Sequence, residues 1–378
     1  MRGTYPFYVN ALHERYGDVV RIRPNALSFS SSQAAKDILN NKAGRGQLQK
    51  DPNFYFKIAG DPYSILTVPS DEDHSRYRRL LSHGFSEKAI REQESVLKVY
   101  VDLLIQRLHK RAKEGPQDMV AWFNWTTFDL IGDLTFDRSF DCLENEAYHE
   151  WIPFVFGGIK AVLIASELKR YPLVMRLFSL LFRKQLLSSR SKGHQFTRER
   201  VAHRISSKTD RLDFLGYILR HDGKETEMSR AEIEATSGIL VLGGSETTAT
   251  LLSGTLYYLL QNPRVKQKLL TEVRESFIKE DEINITSVNS LLYLRATLDE
   301  AMRIYPPVTL GSPRLVGEET TVIGGYQVPP KVRNAQFSDH RPVKANIRSD
   351  CSCPQSIRGV PLFDEFPQSR IFRPRTLA

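Results

Sequence analysis

The sequence predicts a mainly α-helical protein with a small β-sheet, and three features of its pattern support that fold class. From about residue 71 to 305, apolar residues recur at helical spacing in nearly every segment. Near the N-terminus, the segments DVVRIRP and ALSFSS are typical of two strands joined by a Pro-Asn turn. After residue 312 the chain changes to strand-like segments with Gly-Gly and Pro-Pro turn signals.

Individual helices can be placed from their start and stop signals. The first is predicted over 6–16 and stops at Gly17, and the second covers SQAAKDILNN with Ser32 as its candidate N-cap. The longest predicted helix spans 229–262, with Ser229 as its candidate cap and Asn262-Pro263 at its end. Further helices are predicted over 86–115, 119–136, 194–205, 213–221, 263–277 and 287–307.

The bulk composition is that of a globular chain. Of its 378 residues, 41% are apolar and 26% are charged, which allows one large core or two ordinary domains. The net charge of +9 comes from interspersed rather than blocked charges, so the sequence predicts no nucleic-acid partner. A mildly basic face toward anionic lipid or an acidic redox partner remains open at this point.

The three cysteines, Cys142, Cys351 and Cys353, do not indicate a disulfide framework because their number is low and odd. A reducing compartment is therefore expected. The CSC sequence lacks the two-residue gap of zinc knuckles, and no His/Cys pair at ligand spacing accompanies it. The sequence predicts no metal site.

The most apolar stretch, 151–183, is interrupted by Lys160, Glu167, Lys169 and Arg170. No uninterrupted segment reaches the ~20 apolar residues that a membrane-spanning helix needs. A position on a membrane surface remains open for this stretch.

The last segment, 331–378, differs from the rest of the chain. It is rich in Pro, Arg and Ser, has little periodicity and contains no convincing helix. The sequence therefore predicts a change near residue 330, from the regular pattern of 1–330 to an atypical, irregular tail over 331–378.

The segment ILVLGGSETTATLLS, residues 239–253, breaks the packing rules of an apolar helix. A mid-helix glycine costs about 1 kcal/mol relative to alanine, and a buried unpaired carboxylate at Glu246 would cost more. One interpretation is a close helix crossing that Gly243 and Gly244 permit, with Thr side chains bonded back to the helix. The other is a helix widened beside a flat ligand, with Glu246 and Thr247 handling protons.

Three other motifs are weaker when each is taken alone. Glu300 and Arg303 lie at i and i+3 of one helix, a spacing that is also common in surface ion pairs. His74 and Arg78 lie one helical turn apart, as in a basic solvated face. Arg314 follows a proline at the start of a strand, from which it could reach an anionic group.

Together and in this order, the motifs resemble the cytochrome P-450 haem-thiolate monooxygenases. The matching segments are DHSRYRRLLSHGFSEKAI, GGSETT, EAMR followed by YPP, SPRLV and GGYQVP. Each is weak alone, but their order over some 250 residues is specific. The resemblance covers residues 1–330 and is strongest to the membrane-anchored fungal enzymes of secondary metabolism. It implies a cytochrome P-450-like fold.

The resemblance implies a role for every motif. Glu246 and Thr247 resemble the acid–alcohol pair that delivers protons in the oxygen pocket, beside the groove made at Gly243 and Gly244. Glu300 and Arg303 resemble a structural pair that holds the core around the haem. The groups that resemble the haem-propionate ligands are His74, Arg78 and Arg314.

The resemblance also implies the cofactor and partners. The cofactor is haem, electrons come from an NADPH-cytochrome reductase, and the substrate is a lipophilic terpenoid or polyketide-like molecule. Helices in 151–183 would cover the substrate channel and contact the membrane. The expected location is the surface of the endoplasmic reticulum, or the cytoplasm because no anchor helix occurs in the sequence.

The sequence departs from the family at the cysteine that binds the iron. The family's Phe-x-x-Gly-x-x-x-Cys-x-Gly loop matches none of the three cysteines. We therefore expect a domain incomplete at both ends and inactive as a monooxygenase. The first alternative is an active haem monooxygenase whose C-terminus is given incorrectly by this sequence, and the second is a helical interaction protein without haem.

Overall fold

A computed structural model describes residues 4–336, except 41–46, 56, 58–59, 154–155, 158–163, 165–167, 169–170, 208, 210, 212, 220–227 and 310. It also omits the side chains of 172, 175, 177–179, 181–192 and 335–336. The chain divides into two compact units, one of 46–250 with 313–315, the other of 1–45, 251–312 and 316–378. The fold is mainly α-helical with small β-sheets, as predicted.

The elements follow one another in this order. The helices are α1 (Tyr5–Tyr16), α2 (Ser32–Leu39), α3 (Asp71–Ser82), α4 (Glu87–Glu92), α5 (Glu94–Arg111), α6 (Met119–Phe136), α7 (Cys142–Asn145), α8 (Pro172–Ser206), α9 (Phe214–Leu219), α10 (Arg230–Gln261), α11 (Pro263–Ser276), α12 (Ile285–Val288) and α13 (Leu292–Ile304). The strands are β1 (Val19–Arg23), β2 (Ala26–Phe29), β3 (Gln49–Lys50), β4 (Arg314–Leu315), β5 (Thr321–Ile323), β6 (Tyr326–Val328) and β7 (Arg333–Gln336).

The unit that contains the chain's N-terminal residues carries three paired strands and a hairpin. Strand β1 pairs antiparallel with β2 across the predicted Pro-Asn turn, β2 pairs in parallel with β7, and β5 pairs antiparallel with β6. Helix α1 ends where predicted, because Gly17 takes a φ of +90° that side-chain-bearing residues rarely adopt. Its buried His13 bonds the Gly17 carbonyl and the Ser28 hydroxyl, which fixes α1 against β2.

One predicted helix start and the continuity of two predicted helices need correction. The helix predicted over 287–307 is divided into α12 (Ile285–Val288) and α13 (Leu292–Ile304). Ser31 rather than Ser32 caps α2: its backbone is extended and its Oγ accepts a hydrogen bond from the Ala34 amide at 3.2 Å, whereas Ser32 is already helical. The helix predicted over 86–115 is divided at Gln93 into α4 and α5 and ends in a short 3₁₀ turn before Gly115. Ser86 is the N-cap of α4, and its Oγ accepts from the Ala89 amide.

The unit of 46–250 and 313–315 is organised around α6 and its contacts. Helix α6 was predicted from its apolar run, and Asp118 begins it by accepting hydrogen bonds from two first-turn amides. Its buried side chains include Asp129, whose carboxylate accepts from the amides of Cys142 and Leu143 and so caps α7. The core packed around α6 contains Val68, Tyr77, Leu80, Leu81, Phe128, Ile131, Phe136, Phe140, Trp151, Ile152, Val201, Leu215, Ile233 and Val241.

Helix α8, with 35 residues, exceeds the helix predicted to be longest, which is α10 with 32. The prediction of a separate helix over 194–205 was wrong, because α8 begins at Pro172 and continues through the polar residues that hide its apolar spacing. Much of the stretch 151–183 lies outside the described residues. Among the helices that the structure describes, none combines the length and apolar character needed to cross a bilayer.

Regular structure extends a few residues past 330. Strand β7 lies inside the segment predicted to be irregular, and its partner β2 is about 300 residues earlier in the sequence. Pairing with so distant a strand leaves no local signal. The rest of that segment, including Cys351 and Cys353, lies outside the described residues, so the predicted division at residue 330 stays a prediction.

Candidate functional site

Four basic side chains occur together in the unit of 46–250 and 313–315. Lys50 on β3 lies directly opposite Arg314 on β4 in the antiparallel register, and His74 and Arg78 project from α3. Helix α3 begins at Ser70, whose Oγ accepts from the Asp73 amide. The electrostatic effect of Lys50, Arg78 and Arg314 on His74 places the four in one neighbourhood, which we call the cation cluster.

Arg314 has unused hydrogen-bonding capacity inside the protein. Its guanidinium carbon lies 5.2 Å from the centre of the Tyr55 ring, which supports the flat group through a cation–π contact. Its Nε and Nη1 atoms are buried and have no hydrogen-bond partner among the described residues. Buried donors without partners are costly and uncommon, so this geometry suits an acceptor supplied by a ligand.

Lys50 is bonded differently from Arg314. Its Nζ donates to the carbonyl oxygens of Ile65, Leu66 and Val68 at 3.0, 3.1 and 3.2 Å. Burial and the nearby Arg314 charge lower the pKa of Lys50 to about 8, although Asp71 acts in the opposite direction.

The surroundings of His74 disfavour its charged form. Burial, and then the charges of Lys50 and Arg78, lower the pKa of His74 below its usual value, against the opposing effect of Asp71. Arg78 is exposed. A cluster in which cations depress one another's pKa is stabilised by an incoming anion, and carboxylates are suitable partners for these groups.

The two glycines of α10 meet different surroundings. A Cβ atom added at Gly244 would lie 2.6 Å from Cδ1 and 2.7 Å from Cγ1 of Ile131 on α6, so this glycine allows a close helix contact. A Cβ added at Gly243 would meet no atom within 4 Å among the described residues. The close-crossing interpretation therefore holds for Gly244, whereas Gly243 is exposed and makes no such contact among the described residues.

Glu246 and Thr247 lie on the turn that follows the glycines. The Thr247 hydroxyl donates to the Gly243 carbonyl at 2.5 Å, within its own helix. Glu246 keeps solvent contact, yet partial burial raises the pKa of its carboxyl above the usual value. A carboxyl that retains its proton closer to neutral pH is suited to general-acid work.

Glu300 and Arg303 belong to the other unit and form a closed pair on α13. The Nε and Nη2 atoms of Arg303 donate to the two carboxylate oxygens of Glu300 at 2.8 and 2.7 Å. Glu300 is only 3% exposed, so the alternative of a solvated surface pair is wrong. A bidentate pair with one buried partner fixes side-chain geometry much better than a surface pair does.

Sequence reasoning missed several residues that support this site. Lys50 has no motif around it, and its contacts arise only because β3 and the turn at 64–68 meet in space. Arg76 on α3 bonds Glu232 at the start of α10, with Nη2 3.1 Å from Oε1. Burial alone would raise the pKa of Glu232, but the bonds from Arg76 and Tyr77 hold it below the usual value.

Cys142 is the one cysteine that the structure describes, and it is not suited to binding iron. Its side chain is buried beside α6, and its Sγ accepts a long contact from the His149 amide at 3.4 Å. Burial raises the pKa of the Cys142 thiol to about 12, so it remains protonated at neutral pH.

Comparison with known proteins defines the class. The family model for cytochrome P-450 matches residues 2–333. The haem domain of cytochrome P450DA superposes with a TM-score of 0.72 over 89% of this chain and 73% of that chain, at 18% identity, which shows the fold. This chain belongs to the cytochrome P-450 family.

Particular relatives are fungal enzymes. The chain is 44% identical to the cytochrome P-450 monooxygenase astA of Talaromyces wortmannii, over 87% of this chain and 66% of that protein. It is 41% identical to the averantin hydroxylase of Dothistroma septosporum, over 87% and 62% of the two chains. It is 40% identical to the trichothecene C-15 hydroxylase of Fusarium sporotrichioides, over 87% of this chain and 68% of that protein. The chain thus spans about two-thirds of the length of these relatives.

Haem is the cofactor of this family, and the described residues fit its acidic edge. The unpaired Nε and Nη1 atoms of Arg314 offer donors to a carboxylate, and the other members of the cation cluster add positive charge. Gly243 on α10 is exposed, and a Cβ added there would meet no atom among the described residues. The residues that the structure describes do not include a cysteine suited to the iron.

Proposed function

We propose that this chain is a cytochrome P-450-like protein that holds haem and positions protons beside it, and that it resembles an oxygen-dependent monooxygenase of lipophilic secondary metabolites. The observation that carries the proposal is the Arg314 guanidinium, with buried unpaired donors inside the cation cluster. When bound, haem would supply the redox-active iron for oxygen activation. This chain's own residues hold that group and place protons near it.

Propionate binding falls to the cation cluster. Arg314 offers two N–H-bearing atoms for charge-assisted hydrogen bonds to one carboxylate. Burial and then the charges of Lys50 and Arg78 lower the pKa of His74, and a bound anion would act in the opposite direction by favouring the charged imidazole. Arg78 is exposed, and water and salt weaken its contribution.

Proton delivery falls to Glu246 and Thr247 on α10. Burial raises the pKa of Glu246, so its carboxyl keeps its proton to a higher pH than an ordinary glutamate does, and its solvent contact allows reprotonation from water. The Thr247 hydroxyl is held by the Gly243 carbonyl, which orients its oxygen on the same turn of helix. Glu300 and Arg303 have a structural role, keeping α13 in its packed conformation.

The substrate and redox partner are inferred from the family. The names of two relatives, an averantin hydroxylase and a trichothecene C-15 hydroxylase, support hydroxylation as the reaction. We propose a terpenoid or polyketide-like substrate and an NADPH-cytochrome reductase as electron donor. We also propose contact with the surface of the endoplasmic reticulum, supported by exposed apolar side chains at Tyr171, Leu173, Val174 and Leu180.

The finer proposal concerns the iron ligand. None of the three cysteines of the 378-residue sequence stands in the family's loop pattern. We propose that this chain takes up haem through the cation cluster but lacks thiolate-dependent oxygen chemistry. The competing candidate, an active haem monooxygenase, is favoured by the intact Glu246–Thr247 motif.

Haemin titration of the purified chain tests the cofactor assignment. We expect saturable binding that R314M weakens by on the order of tenfold or more, as expected when a charge-assisted hydrogen bond is lost. R78M should have a smaller effect. Arg79, an exposed neighbour on α3, provides the matched control R79M, which should bind as wild type does. Equal binding by R314M and R79M would contradict the assignment.

A carbon monoxide difference spectrum of the ferrous complex separates the two candidates. We expect a Soret band away from the thiolate position. A band at the thiolate position would instead establish the active enzyme. A folded chain that takes up no haemin would favour the third reading, a helical protein without haem.

A further inference from the structure

We propose that Lys50 is a positioning residue that assembles the cation cluster, and that it does not bind the haem carboxylates itself. This inference rests on the proposed function. A lysine ammonium has three N–H donors. In Lys50 all three can be accounted for by the carbonyls of Ile65, Leu66 and Val68, at 3.0 to 3.2 Å. Arg314, across the strand pair, has the opposite property because two of its nitrogens are unpaired.

The carbonyls that Lys50 binds belong to a tight turn. Within it, the amides of Thr67 and Val68 donate to the Ser64 carbonyl at 3.1 and 2.9 Å, and the Ser64 amide donates to the Thr67 hydroxyl. This turn leads directly to Ser70, the N-cap of α3. Lys50 therefore links the strand pair that carries Arg314 to the start of the helix that carries His74 and Arg78.

The same turn is also attached to α10. The Ile65 amide donates to Oγ1 of Thr236 at 3.3 Å, and Thr236 is fully buried on α10. Helix α10 carries Gly243, Glu246 and Thr247 two to three turns further on. A single ammonium thus holds a turn that joins all three elements on which the candidate site is built.

The electrostatic cost of this arrangement supports a positioning role. Burial and Arg314 both disfavour a charged Lys50, so the ammonium is retained in a position where charge is penalised. Three carbonyl acceptors offset that penalty locally. An ion-binding lysine would direct at least one donor toward the ligand, whereas here the donors face the backbone.

Hydrogen–deuterium exchange and haemin titration on the full chain test the inference. The variants are K50M, which lacks donors and charge, and R314M, which alters the proposed ligand. K88M is the matched control because Lys88 is 86% exposed on α4. We expect K50M to accelerate exchange at the amides of 64–70, in the haem-free chain, and to weaken haemin binding by on the order of tenfold. R314M should weaken binding without accelerating exchange there.

The outcomes are separable. Weaker haemin binding by K50M with unchanged exchange at 64–70 would overturn the inference, because Lys50 would then act on the ligand through its charge or by contact rather than through the turn. Faster exchange with unchanged haemin binding would overturn it too, because the turn would then be uncoupled from the site. If K50M does not fold, K50R replaces it, because arginine keeps the positive charge and the N–H donors. K50R should fold and protect the amides of the turn from exchange. Fast exchange of those amides in K50R would contradict the proposal. If the wild-type chain takes up no haemin, the proposed function fails, and the exchange comparison of K50M with K88M alone decides whether Lys50 holds the turn.

Discussion

At the residue scale, the adjacent glycines Gly243 and Gly244 have different surroundings in the structure. Gly244 permits contact with Ile131, whose Cδ1 would lie 2.6 Å from an added Cβ, and Gly243 faces open space. Gly244 therefore fits the close-crossing interpretation, whereas the ligand interpretation of Gly243 stays a prediction. The distinction depends on which side of α10 each residue occupies.

Alanine substitution should separate the two glycines. We expect G244A to lower the free energy of unfolding by about 1–3 kcal/mol, because the added methyl group overpacks a stiff β-branched side chain. G243A should raise it by up to about 1 kcal/mol through better helix propensity, while weakening haemin binding. Urea denaturation measures the first effect and titration the second. Equal losses of stability in both variants would contradict this assignment.

The carboxyl of Glu246 should affect stability in a pH-dependent way. Its pKa is raised by burial, so the folded chain binds more protons than the unfolded chain between the unfolded and folded pKa values. Stability contributed by this group is therefore lost as pH rises through that window. We expect E246Q to be slightly more stable than wild type at pH 7, with the difference disappearing below about pH 4. Chemical denaturation at the two pH values measures the difference in stability between E246Q and wild type. A stability difference that is the same at both pH values would contradict the raised pKa of Glu246.

At the scale of elements, α13 depends on a neighbouring helix for its cap. Its N-cap residue, Leu291, supplies no side-chain hydrogen bond. Glu272 on α11 replaces it: its two carboxylate oxygens accept from the amides of Tyr293 and Leu294, each at 2.8 Å. The negative charge also complements the positive end of the helix dipole. The helix that carries the Glu300–Arg303 pair is thus anchored from outside.

Removing this cap should cost stability. We expect E272A to lower the free energy of unfolding by about 0.5–2 kcal/mol, the range for lost N-caps. Glu275, one turn further along α11 and exposed, offers the control E275A, which should change stability by less than about 0.5 kcal/mol. Chemical denaturation compares them. A loss in E275A equal to that in E272A would show that charge on α11, rather than the cap, is responsible.

At the scale of the whole molecule, residues far apart in sequence belong to one compact unit. Residues 313–315 belong with 46–250, which brings Arg314 to the cluster begun by Lys50. In the haem-free chain the lowered pKa of Lys50 means that the unfolded chain binds more protons between about pH 8 and 10.5, so this group's contribution to stability increases with pH there.

Haem binding should show the opposite dependence. A carboxylate ligand favours the charged form of Lys50, so its binding takes up protons near the free-state pKa of about 8. We expect haemin affinity to fall as pH rises through that value and the fall to be absent in K50M. Titrations between about pH 7 and 9 test this, with K88M as control. An identical pH profile in K50M and wild type would contradict the linkage.

The sequence by itself was sufficient for the fold class and for most helices. Periodicity and capping residues depend on local contacts, so α1, α6 and α10 ended within a residue or two of their predicted limits. The motifs that contain His74, Glu246, Glu300 and Arg314 could also be recognised from the sequence, because their order and separations along the chain resemble those of the family. The family model matches residues 2–333.

Only the tertiary structure decided which of those side chains have hydrogen-bond partners within the protein and which keep unpaired donors. Lys50 carries no motif, yet it binds three carbonyls of a turn 15 to 18 residues away, while Arg314 keeps two unpaired donors. Contacts between distant segments likewise determine three other features: the burial of Glu300, the capping of α13 by Glu272 on α11, and the parallel pairing of β7 with β2. Local sequence records the propensity of a segment, but burial and hydrogen-bond partners are set by the elements packed against it.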